Sequence, residues 1–120
     1  MDLETAIRGH IETLEQFGTR YCTTEGCRRA LDYIESRMRE YGYRVERSVS
    51  EWEGQSFPSP WTVKSGRGPA VYLLTAHYDS ISQSKDGKLL DRAPGADDNA
   101  TGVAVLLETA KALAGQQLNS

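Results

Sequence analysis

An apolar run that ends in a histidine and an aspartate sets the strongest limit on how this chain can fold. Ala70-Val71-Tyr72-Leu73-Leu74-Thr75-Ala76 is apolar except for Thr75 and leads directly into His77-Tyr78-Asp79-Ser80. The turn-forming stretch Ser65-Gly66-Arg67-Gly68-Pro69 bounds it upstream, so the pattern predicts a strand over 70–77 that is buried on both faces. Strands of that kind belong to sheets covered by helices on each side. Side chains alternate along a strand, which puts His77 and Asp79 on one face at its C-terminal end.

The remaining elements fit such a layered fold. Leu3, Ile7, Ile11, Leu14 and Phe17 recur at spacings of three and four, which predicts an amphipathic helix over 3–17 that Gly18 can stop. Thr23 or Thr24 offers a cap for a second helix over 26–41, with Ala30, Leu31, Ile34 and Met38 on one stripe and Gly42 after its end. Residues 43–50 alternate and predict a half-exposed strand. Pro58 and Pro60 mark 54–60 as a loop before a short strand over 61–64, and the polar residues 80–96 form a connecting loop with its tip near Lys85-Asp86-Gly87. Val103, Leu106, Leu107, Ala110 and Leu113 form the apolar stripe of a last helix over 100–114. This order of elements predicts an α/β layered fold.

Composition narrows the class further. The chain has 120 residues, enough for one domain and one core. Charged residues make up 26% and the net charge is −3, with basic residues spread rather than blocked. That balance gives nucleic-acid binding little electrostatic support. No run reaches the length of a membrane span, and Met1-Asp2-Leu3-Glu4 lacks the basic start of a signal peptide. The compartment is left open. Cys22 and Cys27 in YCTTEGC read as ordinary thiols or a small-loop disulfide, since further Cys or His ligands for a metal clip are not near them.

The segment PGADDNATG, 94–102, follows the strand end by less than twenty residues and opens the last helix. Asp97 and Asp98 would then stand at the positive end of a helix dipole, beside His77 and Asp79. Zinc takes imidazole nitrogen and carboxylate oxygen in a small shell. A ligating imidazole donates its other N–H to a carboxylate, a role open to Asp79. Each half also has a plain reading, His-x-Asp as a strand-end hydrogen-bond pair and Asp-Asp-Asn as a helix cap. Their pairing at the C-terminal edge of a buried strand, where α/β sheets bind ligands, favours the metal reading.

These residues resemble a known family. A-H-Y-D-S followed by P-G-A-D-D-N-A-T-G and an apolar helix is similar to the metal-binding half of the M28 zinc aminopeptidases, the leucyl and bacterial aminopeptidase type. Upstream, F-G-T-R-Y before E-G-C-R-R-A-L-D-Y-I and then R-M-R-E-Y-G-Y-R-V resemble that family's opening helices and first strand. The resemblance implies a three-layer αβα zinc-peptidase fold with a mixed, mostly parallel sheet, of which residues 1–120 are the N-terminal portion. It implies that His77 ligates one zinc, that Asp98 bridges two, and that Asp79 is the catalytic-site aspartate that orients His77. Asp98 is matched rather than Asp97 because the family's bridging residue stands four before the glycine, here Gly102. A cis peptide bond after Asp98 is implied as well. The implied substrate is a peptide, cleaved at its N-terminal bond.

The family's Glu-Glu pair, further acidic ligand and distant histidine have no counterparts here. Glu108 lies within the last helix without a second Glu, and His10, the other histidine, reads as a boundary surface residue on the first helix. Other readings are a glutaminyl cyclase with one zinc, a non-catalytic receptor or interaction domain of the same fold, and a plain domain whose Asp97 and Asp98 only cap a helix. Trp52, Phe57 and Trp61 could line a pocket, with packing as their plainer role. Two ligands without a positioned base cannot run the hydrolysis. The 120 residues alone are therefore expected to be silent when assayed on aminoacyl anilides with zinc, and turnover abolished by His77→Ala would overturn this.

Overall fold

The computed structural model describes all 120 residues. The first helix, α1, runs over Leu3–Glu15, with the Asp2 side chain accepting the Thr5 N–H at 2.8 Å. Helix α2 runs over Glu25–Glu40 and is capped by Thr24, whose hydroxyl accepts the Cys27 N–H at 3.3 Å. Helix α3, Thr101–Ala114, follows a kinked turn over Ala96–Ala100. All three lie within a residue or two of the expected spans. The stripes meet in one core in which Leu14, Ala30, Ala100 and Leu107 are fully buried, joined by Ile34, Met38 and Val103.

The first helix packs by most of the expected stripe, with Leu14 buried and Ile11 and Phe17 on the core, but the stripe is wider at one edge and shorter at the start. Its buried residues are His10 and Leu14, whereas Leu3 is exposed. His10 lies three residues after Ile7 and four before Leu14, hence on the face turned to α3. It is not a surface residue: its Nδ1 is 2.6 Å from Tyr33 OH on α2 and its Nε2 is 2.9 Å from Glu108 Oε2 on α3. One imidazole ties the three helices together. Glu35 plays the matching part between α2 and the first strand, its buried carboxylate accepting from Arg39 at 2.9 Å and from Arg47 Nε at 2.8 Å.

That first strand, β1, covers Glu46–Trp52 and pairs antiparallel with β2, Gln55–Trp61. The sequence pattern places the first strand at 43–50, a few residues early, and reads 54–60 as a loop because of its prolines. The hairpin tolerates them for a reason of register. Glu53 and Gly54 both have positive φ, 48° and 75°, as a two-residue hairpin turn requires. Hydrogen-bonded pairs then alternate outward from Trp52–Gln55. Pro58 opposite Val49 and Pro60 opposite Arg47 fall on the unbonded pairs, where the missing N–H faces away from β1. Trp52 and Trp61 stand exposed on this hairpin and Phe57 is half-buried, so they form neither the core nor an enclosed pocket.

Neither of the other expected strands forms. Only Trp61 of 61–64 belongs to a strand; after it Thr62 donates to Arg44 O at 2.7 Å, and the Lys64 ammonium donates to Ala114 O at 2.8 Å at the end of α3. Residues 70–77 make no ladder, and Val71, Tyr72 and Leu73 are exposed. A strand buried on both faces needs a neighbour to satisfy its backbone, and the sheet here has only β1 and β2. The run becomes anchored from Ala76 onward, where Ala76 and Tyr78 pack on the core.

Leu107 sits at the centre of this arrangement with no exposed surface. Leu107→Ala is expected to lower stability by about 2–5 kcal/mol through lost burial and the cavity left behind, read as a lower urea midpoint at unchanged m-value.

Candidate metal centre

The turn before α3 decides how the acidic pair is presented. Gly95 takes a left-handed conformation at φ 55°, and Ala100 N–H closes the turn by donating to Gly95 O at 3.0 Å. Inside it, Asp98 and Asn99 leave helical geometry, and the Asp98–Asn99 peptide bond is cis, as the resemblance implied. Asn99 then performs the capping that the sequence reading gave to the aspartates. Its side-chain oxygen accepts the Gly102 N–H at 3.1 Å, and its amide donates to His77 O at 3.3 Å. A Cβ at Gly102 would meet Asn99 atoms at 2.4–2.8 Å, so the glycine makes room for this bridge.

His77 and Asp98 are thereby brought face to face. His77 Nε2 is 3.0 Å from Asp98 Oδ1, and His77 Nδ1 is 3.1 Å from Asp79 Oδ1. The imidazole thus has a carboxylate on each ring nitrogen. Asp79 lies on the far nitrogen from Asp98, so it can orient the ring but cannot share an ion with Nε2. Asp97 is exposed, and only its backbone is engaged, accepting from the Thr101 hydroxyl at 2.7 Å.

The donor set fits part of a zinc shell. Two bonds of about 2.0–2.1 Å at a tetrahedral angle hold their ligand atoms about 3.3 Å apart, close to the Nε2–Oδ1 separation found here. Both side chains are open to solvent, with Asp98 86% exposed, so an ion can reach them without rearrangement of the core. Zinc takes more donors than these two, and no group of three or more His, Cys, Asp or Glu side chains converges on one point of this structure. Cys22 and Cys27 are free thiols and offer no substitute. Burial pushes the Cys27 thiol up to about 11, aided by the charge of Asp79, which keeps it neutral near pH 7.

A residue that the sequence reading passed over holds the site from behind. Arg20 is fully buried, and its guanidinium donates to Tyr78 O at 2.9 Å, Leu14 O at 3.0 Å, Pro94 O at 2.6 Å and Gly95 O at 3.1 Å. Burial pulls its pKa below the ordinary arginine value, while the charges of Asp79 and Glu15 work in the opposite direction. Its backbone is equally engaged: Arg20 N–H donates to Ser80 Oγ at 3.0 Å, and Ser80 N–H donates to Arg20 O at 3.1 Å. Arg20 belongs to the F-G-T-R-Y segment of the resemblance, but its burial is not signalled there, because an arginine after a helix ordinarily points to water.

Comparison with known proteins assigns the chain to a family. The model of peptidase family M28 matches residues 61–120, the half of the chain that carries both motifs. The chain belongs to peptidase family M28. A probable zinc metalloprotease of Pyrenophora tritici-repentis is 33% identical over 95% of this chain, and leucine aminopeptidase 1 of Pyrenophora teres f. teres is 30% identical over 89%. The chain spans 28% of the length of each of these two curated relatives. Among solved structures, it resembles a glutaminyl cyclase of Tannerella forsythia at a TM-score of 0.75 and 24% identity, covering 96% of this chain and 42% of that one. A Zn-dependent exopeptidase of Parabacteroides distasonis gives 0.73 and 23%, with the same coverage. These likenesses show the fold, the α/β zinc-exopeptidase architecture, in which the β1–β2 pair is one part of the sheet.

Gly95 offers a direct check on the turn. A Cβ there would meet Asp98 O at 2.6 Å, Ser80 Cβ at 2.7 Å and Arg20 Nη2 at 2.8 Å. Gly95→Ala is expected to destabilise by about 1–2 kcal/mol from the left-handed backbone alone, with the clashes adding to that, measured by chemical denaturation.

Proposed function

We propose that His77 and Asp98 are zinc ligands in a metalloaminopeptidase that hydrolyses the N-terminal peptide bond of its substrate, with Asp79 orienting His77. The observation that carries this reading is the convergence of His77 Nε2 and Asp98 Oδ1 at 3.0 Å with Asp79 on the opposite ring nitrogen. The names of the zinc metalloprotease and aminopeptidase relatives support it. Bound zinc would supply Lewis acidity toward the scissile carbonyl and the attacking water.

The chain's own residues have separable tasks. Asp79, 3.1 Å from His77 Nδ1, would accept a proton there and so fix the tautomer that leaves the Nε2 lone pair free for a metal. Asp98 presents an ionised carboxylate from a turn at the N-terminus of α3, where the helix dipole favours negative charge. With its second oxygen Asp98 is suited to bridge two ions, and we assign it that part in a two-zinc centre. Asn99, bonded to both His77 O and Gly102 N–H, keeps the two ligands in register.

A second reading has support from the solved structures that carry the name glutaminyl cyclase, one of them from Porphyromonas gingivalis at 26% identity and a TM-score of 0.72. One experiment separates the two. Zinc titration of the full-length protein is expected to lose more than about 100-fold in affinity with His77→Ala or Asp98→Asn, and about 10- to 100-fold with Asp79→Asn. Mass analysis of peptide products decides the reaction: release of the first residue is the expected result. Cyclisation of an N-terminal glutamine without release would replace peptidase by cyclase, and unchanged zinc binding in both ligand variants would remove the site.

A further inference from the structure

The two halves of the metal centre come from segments about twenty residues apart, and neither half is fixed by a sheet ladder. What joins them is Arg20. Tyr78, whose carbonyl accepts from Arg20 Nε, stands between His77 and Asp79. Gly95, whose carbonyl accepts from Arg20 Nη2, also accepts from Ala100 N–H across the turn that contains Asp98. The same guanidinium reaches Pro94 O and, at the end of α1, Leu14 O. Ser80 closes a second loop around it, accepting from Arg20 N–H and donating to Ala93 O at 2.6 Å, while Ala93 N–H donates to Gly18 O at 3.0 Å.

A guanidinium is rigid and planar, with its N–H groups in a fixed fork. Carbonyls bonded to it are held at separations that the fork dictates. The cation here has no carboxylate partner; all of its side-chain hydrogen bonds go to backbone oxygens. Burying an arginine in this way is costly unless every donor direction is answered, so the surrounding loops have little freedom to drift.

We infer that Arg20 is a positioning residue for the metal centre: its buried guanidinium spans the carbonyls of Tyr78 and Gly95 and so sets the separation at which His77 and Asp98 present their donor atoms. This rests on the zinc-site reading above. A lysine at the same place keeps the charge but bonds as a single point, and cannot hold the strand-end and turn carbonyls in one plane. Arg20→Lys should therefore loosen the site more than it loosens the fold.

The test is zinc affinity of the full-length protein, measured by competition with a chromophoric chelator, alongside thermal unfolding. Arg20→Lys is expected to weaken zinc binding about 10- to 100-fold, the range found when a group supporting a ligand is lost. Leu107→Ala, a core variant remote from the ligands, serves as the stability control and should keep native affinity at temperatures where both variants are folded. Affinity unchanged in Arg20→Lys, or lost equally in Leu107→Ala, overturns the inference. Should Arg20→Lys not fold, the wild-type guanidinium is read directly by NMR: slow hydrogen exchange and hindered rotation of the Arg20 Nη groups support the clamp on the Tyr78 and Gly95 carbonyls, and a freely rotating, fast-exchanging guanidinium overturns it. His77→Ala, run in parallel, checks the zinc reading itself. If that variant binds zinc normally, the zinc reading fails, and amide exchange at Ser80 and Ala100 then decides whether Arg20 clamps these segments: faster exchange in Arg20→Lys than in Leu107→Ala upholds the clamp, and equal exchange overturns it.

Discussion

A guanidinium without exposed surface is the constraint on which the arrangement of the site's segments depends. An arginine taken fully out of water must have its donors answered, and here the answers are backbone carbonyls from Leu14, Tyr78, Pro94 and Gly95. Those carbonyls belong to the end of α1, to the segment after the apolar run, and to the approach of the acidic turn. Satisfying one side chain therefore forces three distant stretches of chain into contact. It also dictates local chemistry. Gly95 must approach the guanidinium closely in a left-handed conformation, a place where a Cβ would collide with Arg20, Ser80 and Asp98.

The helix layer supplies the base against which that knot is tied. Ala100, just before α3, and Ala104 within it are fully buried, and their small size lets α1 and α2 close upon α3 around Leu107. Polar residues then fix the relative placement of elements that apolar packing alone would leave free to slide. His10 links α1 to Tyr33 and Glu108, and Glu35 links α2 to β1 through Arg39 and Arg47. Each buried polar side chain has partners on another element, so burial costs are offset where they also specify geometry.

The helices were legible because their apolar residues repeat at spacings of three and four, and Thr24 and Gly42 punctuate them with familiar chemistry. His77, Asp79 and Asp98 were legible as a cluster because they stand at the end of an apolar run and just before a helix, and their side chains do meet at 3.0 and 3.1 Å. What escaped was set by three-dimensional context. His10 lies on the buried face of α1, yet a histidine on a helix carries no label that tells a tied residue from a solvated one. The prolines of β2 break the usual strand signal, and only the register with β1 shows that their nitrogens face away. Arg20 lies in the F-G-T-R-Y segment of the family resemblance, but nothing in that pattern marks it as buried, since its burial follows from where four carbonyls converge.

The apolar run from Ala70 to Ala76 shows why convergence matters more than local pattern in this site. Its composition suits a buried strand, but without a neighbouring strand its backbone makes no ladder and Val71, Tyr72 and Leu73 face solvent. Ladder pairing cannot set the register of His77 from that side. Its position is determined from the other side, by Tyr78 O and Ser80 N–H on Arg20 and by Asn99 on His77 O. The side chains follow that backbone: Asp79, one residue beyond Tyr78, is placed to take Nδ1, and Nε2 is left directed at Asp98. The His77–Asp98 pair is thus an outcome of three backbone-directed side chains, Arg20, Ser80 and Asn99, and the strand pattern that announces the site in the sequence contributes little to holding it.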